Sequence, residues 1–186
     1  MEKNWKRSAL SGVIRCYNSC TLFVALTWRN RVRFLCIARE GTLSVRIAIE
    51  QPSETDVEII HARLRETYWS PGIPRDVVAR ACANSICAIA RDERGALIGF
   101  ARVVTDQATF AWVCDVIVLP GRQGKGVGRA LVQTFLAHPD LQGLRRWLLG
   151  TKDAHGVYAP LGFTPVEEPG RLMHIRNPAP YGEQTS

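Results

Sequence analysis

The chain has 186 residues, 46% of them hydrophobic, and a formal net charge of +7. That length and apolar content suit one globular domain with a real core, and the longest largely apolar run, TLFVALTW at 21–28, falls far short of the roughly 20 residues that span a bilayer. The charge excess sits wholly in residues 1–46, which hold nine Lys/Arg against two acidic side chains; the other 140 residues hold 15 of each, a balance that argues against nucleic acid as the main partner.

Residues 1–44 read as a basic N-terminal extension without clear periodicity, either disordered or untranslated; a start near Leu43 or Val45 would fit the lack of methionine between Met1 and Met173. Were this protein an interaction module instead, Arg29, Arg31 and Arg33 beside Trp28 would contact nucleic acid or anionic lipid. None of the six cysteines forms a C-x-x-C pair, which points to no metal site and to reduced thiols in a cytoplasmic protein.

Order begins at residue 45, where Val45, Ile47 and Ile49 alternate with Arg46, Ala48 and Glu50 as in a half-buried strand. Ser53 with Asp56 three residues later resembles a capping box, and Val57, Ile60, His61 and Leu64 continue at helical spacing, predicting a helix over 54–67. Pro71, Gly72 and Pro74 force a loop, and a second helix starts near Pro74 as a first-turn residue. The segments SICAIAR, ALIGFARVV and TFAWVCDVIVL, joined by short turns, predict an antiparallel meander. A helix bearing Leu131, Val132, Phe135 and Leu136 follows, then RRWLLG at 145–150 as a strand returning parallel to the last one. A short helix over 153–160 and strands near Gly162–Val166 and 171–176 complete a domain spanning 45–176, and 177–186 is an unstructured tail.

Between the third meander strand and the next helix lies LPGRQGKGVGRALV at 119–132. Glycines there let successive amides turn inward, and such a nest binds anions. A P-loop would need Gly at 119 and Ser or Thr at 126, where the chain has Leu119 and Gly126, and the G-x-G-x-x-G of dinucleotide folds is not met either. Gln123-Gly124-Lys125-Gly126-Val127-Gly128 does satisfy Q/R-x-x-G-x-G/A, directly after a strand and before an amphipathic helix. With the downstream segment Gly156-Val157-Tyr158-Ala159-Pro160-Leu161-Gly162-Phe163, the chain resembles the GNAT acetyltransferases over residues 45–176.

The resemblance implies an α/β GNAT fold, with a mixed, mostly antiparallel sheet of about six to seven strands and about four helices. It further implies acetyl-CoA as co-substrate and direct transfer to a primary amine on a small molecule; a homodimer is common in the family. Gln123, Gly124, Lys125, Gly126, Val127, Gly128 and Arg129 would hold the pyrophosphate at the helix N-terminus, and Ile117, Val118 and Leu119 would lie along the pantetheine arm. Tyr158 would protonate the departing thiolate, since a phenol keeps its proton at neutral pH. Pro160 departs from the family pattern and should end that helix early.

Where many family members place a carboxylate base in the strand before the loop, this chain has Trp112. Asp115 is on the same strand at an odd offset, hence on the opposite face unless a bulge intervenes; Glu66 and Tyr68 are further candidates. Tyr68 and Trp69, on the proline-stiffened loop, could line the acceptor pocket or cap the core. His155 is one turn before Tyr158 but reads as solvated, and Cys114 as a small buried side chain. Trp112 and Pro160 would also suit a coenzyme A binding module that keeps the fold without turnover.

Overall fold

The computed structural model describes residues 21–28, 31–38 and 45–181. Strands β1 (Thr21–Trp28) and β2 (Arg31–Ala38) pair antiparallel in a two-stranded sheet, within the segment for which the sequence predicts no element. The main sheet has five strands in the order β3 (Arg46–Ile49), β4 (Ile86–Arg91), β5 (Leu97–Thr105), β6 (Phe110–Val118) and β7 (Arg146–Leu148). Only the last pair, β6 with β7, is parallel, as expected for a strand that returns through a helix.

Helices α1 (Glu54–Leu64) and α2 (Arg75–Ala83) link β3 to β4, α3 (Val127–Leu136) links β6 to β7, and α4 (His155–Tyr158) follows β7. The predicted capping box forms: the Ser53 hydroxyl accepts from the Asp56 amide, and Asp56 accepts from the Ser53 amide. Asp56 also takes two bonds from the Arg91 guanidinium, at 2.9 and 2.7 Å, which ties α1 to the end of β4. Pro74 is the N-cap of α2, extended at ψ 149°, and the helix proper begins one residue later.

The sheet separates two apolar layers, and strand alternation sorts side chains between them. On one face Ala88, Ala90, Ala101, Val103, Ala111 and Val113 pack against Leu131, Val132 and Phe135 of α3. On the other, Cys87, Ile89 and Phe100 meet Val57, Ile60 and Leu64 of α1 and Val78 and Cys82 of α2. Ile117 joins this second layer although Ala111 and Val113, also odd-numbered, belong to the first. A strand of strict period two cannot do this.

The strands predicted at 162–166 and 171–176 do not form, so the sheet has fewer strands than the six to seven expected. Gly162 ends a short 3-10 turn in a left-handed conformation at φ 95°. Pro165 and Pro169 then remove two backbone donors that a ladder needs. Leu172, Met173 and Ile175 are exposed.

Candidate active site

The break in alternation is a β-bulge in β6. Phe100 faces Ile117 and Arg102 faces Cys114, so Asp115 and Val116 together oppose Ala101. Asp115 adopts φ 50°, the left-handed conformation that Asp tolerates better than most residues. The bulge that the odd offset required is therefore present. It turns the Asp115 carboxylate to the face of α1 and α2, where Oδ2 accepts from Arg102 Nε at 2.6 Å and Oδ1 from Trp69 Nε1 at 3.2 Å.

Arg102 stands among apolar neighbours on β5 and also donates to the Ser85 hydroxyl at 3.2 Å. Burial opposes its charge, but the Asp115 carboxylate outweighs burial and the guanidinium pKa goes up. Sequence reading passed over this arginine; its signal is that it is the one charge in LIGFARVVT, since a charge on a buried strand requires a partner.

Above the bulge lies a cleft of about 430 Å³. Tyr68, Trp69, Trp112, Asp115, Asp153 and Tyr158 line it. Val116 and Cys114 also contribute, as does Tyr181 from the tail, which no local pattern marks out. Tyr68 is fixed by its hydroxyl, which accepts from the Lys152 amide at 2.8 Å, and by edge-to-face contact with Trp69 at 4.9 Å between ring centres. The predicted loop residues thus bridge two segments far apart in sequence. Glu66 points elsewhere, paired with Arg63, and neither it nor His155 lines the cleft.

Tyr158 ends α4 and packs edge-to-face on Phe163, with 6.0 Å between ring centres. As the sequence predicted, α4 stops there, and Pro160 sits in the 3-10 turn that follows. Burial pushes the Tyr158 phenol up, helped by Tyr68 and Asp153, so the proton is held more firmly than on a free tyrosine.

The sheet forks beside this cleft. β7 pairs with β6 only from Phe110 to Trp112, while β6 runs on to Val118. The Leu119 amide donates to Ile98 on β5 at 2.9 Å, whereas the Val118 carbonyl turns the other way and accepts from the Gln123 side chain at 3.2 Å. A strand residue presents its N–H and C=O on the same edge, so the Val118 N–H faces the open fork. Gln123 thereby braces the strand, and the Leu119 N–H is spent inside the sheet.

Gly124 and Gly126 take φ 73° and 77° with no atom near a hypothetical Cβ, and Gly126 is the N-cap of α3. The Ala130 amide is the first to bond back, to Gly126, which leaves the amides of Val127, Gly128 and Arg129 without intrahelical acceptors. A Cβ on Gly128 would lie 3.6 Å from Val118 and 3.8 Å from Val116. The helix start thus rests on the strand that floors the cleft. Free amides, left-handed glycines and the positive end of a helix suit a diphosphate.

This is an α/β protein in which a left-handed glycine turn at a helix start opens onto a forked sheet and a cleft that holds a phenol. The model of the acetyltransferase (GNAT) family matches residues 54–163, more than half of the chain, and the chain is an acetyltransferase belonging to that family. It is similar to a predicted acetyltransferase of Gibberella zeae, at 31% identity over 55% of this chain and 69% of that protein. A probable acetyltransferase of Glycine max is 44% identical over 52% of this chain, which spans only 42% of that relative. A solved GNAT-family structure from Xanthomonas campestris pv. campestris has 42% identity and a TM-score of 0.68, covering 74% of this chain and 96% of that one. An aminoglycoside N-acetyltransferase solved with CoA, at 22% identity and TM-score 0.51 over 76% of this chain and 99% of its own, shares the fold.

Proposed function

We propose that the protein transfers the acetyl group of acetyl-CoA to a primary amine by direct attack in the cleft. One observation carries this reading: the strand that floors the cleft holding Tyr158 runs through the open fork into the left-handed turn at Gly124 and Gly126.

Acetyl-CoA supplies the thioester: the amine lone pair forms a C–N bond as the C–S bond breaks, the nitrogen loses a proton and the sulfur gains one. The amides of Gly124, Gly126, Val127 and Gly128 hold the pyrophosphate, with Lys125 and Arg129 adding charge at the rim. Ile117 and Val118 border the pantetheine arm, and the Val118 N–H is placed to polarise the acetyl carbonyl. Tyr158 gives its proton to sulfur. Asp115 already accepts from Trp69 and Arg102 and keeps a lone pair on each oxygen for the incoming amine.

Calorimetry with CoA and a transfer assay on simple amines test this. Saturable binding, together with transfer that collapses in Tyr158→Phe, supports the reading. An absence of heat at millimolar CoA would overturn it.

A further inference from the structure

We infer that the acceptor is a small amine whose nitrogen is carried by a short linker from an aromatic or similarly flat apolar body, and which bears no carboxylate. This deepens the proposed acetyl transfer and rests on it.

The first support is where aromatic surface is left uncovered. Tyr68, Trp69 and Trp112 are 51%, 45% and 43% exposed, and all three border the same cleft. Large apolar side chains left in solvent around one concavity mark a binding surface rather than core. Trp69 and Trp112 come from different elements, the α1–α2 loop and β6, so their meeting is not a by-product of one helix face. Aromatic faces accept a flat apolar ligand and, at their π surface, an ammonium.

The second support is charge. Three ionisable carboxylate or guanidinium groups line the cleft: Arg102, Asp115 and Asp153. Arg102 and Asp115 neutralise each other across 2.6 Å. Among the described residues Asp153 has no ion-pair or hydrogen-bond partner, so the balance those groups leave to a ligand is negative. The nearby Lys152 ammonium is engaged over the Tyr68 ring, 5.9 Å from its centre. The negative balance favours a cation and opposes a carboxylate on the ligand, which disfavours amino acids as acceptors.

Size narrows the class further. A cleft of about 430 Å³ must also take the acetyl end of the donor. At the lower end of the roughly 300–1,000 Å³ of small-molecule pockets, it suits a compact acceptor better than a polyamine of several rings, for which two carboxylates, one already paired with Arg102, offer few partners.

The test compares kcat/KM for 2-phenylethylamine, tryptamine, L-phenylalanine, spermidine, kanamycin and a lysine-bearing peptide, with CoA binding by calorimetry alongside. The expected order places 2-phenylethylamine and tryptamine at least tenfold above every other amine. In Asp153→Asn the advantage of 2-phenylethylamine over L-phenylalanine should shrink. In Trp112→Ala the KM for 2-phenylethylamine should rise about tenfold while that for ethylamine stays nearly constant. Preference for spermidine, kanamycin, the peptide or L-phenylalanine, with CoA bound and turned over, overturns the inference and leaves the transferase reading standing. Failure to bind CoA at all removes that reading itself.

Discussion

Arg102 donates from Nε to Oδ2 of Asp115 across 2.6 Å, and in doing so pins the bulged residue of one strand to its neighbour in the sheet. The pair is mostly buried, at 18% and 11% side-chain exposure. Its partner contact, Trp69 on Asp115, extends the link to the loop between α1 and α2. We expect Arg102→Met to lower stability by about 1.5–3 kcal/mol, the range for hydrogen bonds to charged groups. Urea unfolding with an unchanged m-value would show it; a loss under about 0.5 kcal/mol would mean the bulge holds itself.

The glycines of the turn should separate into two kinds. Gly126 is left-handed, so Gly126→Ala should cost about 1–2 kcal/mol and weaken CoA binding. Gly128 is helical with only ordinary contacts awaiting a methyl group, and Gly128→Ala should instead stabilise by about 0.5–1 kcal/mol and leave CoA affinity within about twofold. Thermal melts and calorimetry on both variants decide it.

Tyr158→Phe removes the proposed acid and little else. A fall in kcat of about 10²-fold or more is expected, with the KM for acetyl-CoA little changed. Because the phenol pKa is raised, the acid form persists through the neutral range, and the alkaline fall of the wild-type rate should lie above about pH 10. A kcat within threefold of wild type would remove Tyr158 from the chemistry.

Burial acts to raise the pKa of Asp56, but the bonds from Arg91 and Ser53 outweigh it and the carboxyl titrates below its usual range. A group depressed in the native state stabilises fully above its unfolded pKa of about 3.9, and that stability is lost as pH falls through the native value. Asp56→Asn should therefore destabilise at pH 7, by about 3 kcal/mol for a broken buried pair, and flatten the acid limb of the stability profile. A variant as acid-sensitive as wild type would refute the assignment.

What could be read from residue order was what local chemistry dictates. The capping box at Ser53, the meander and the glycine turn were legible because each rests on neighbours within a few positions. Asp115 could be named only as a candidate that needed a bulge, since period-two counting cannot reveal a bulge whose stabilising partner, Arg102, is on another strand. The segment 171–176 misled in the opposite direction: its apolar residues imply a strand, yet Leu172 to Ile175 lie exposed beyond two prolines. The aromatic cleft emerges only when three separate segments meet.

Under the proposed transfer, the fork between β6 and β7 divides how the two ligands are recognised. From Val113 to Val118 the edge facing the fork consists of main-chain atoms, which no point substitution short of proline can erase. The amine end is furnished by rings and carboxylates that single changes can swap. Such a chassis is conservative toward its donor and evolvable toward its acceptor, so close relatives could share one coenzyme while parting company over what they modify.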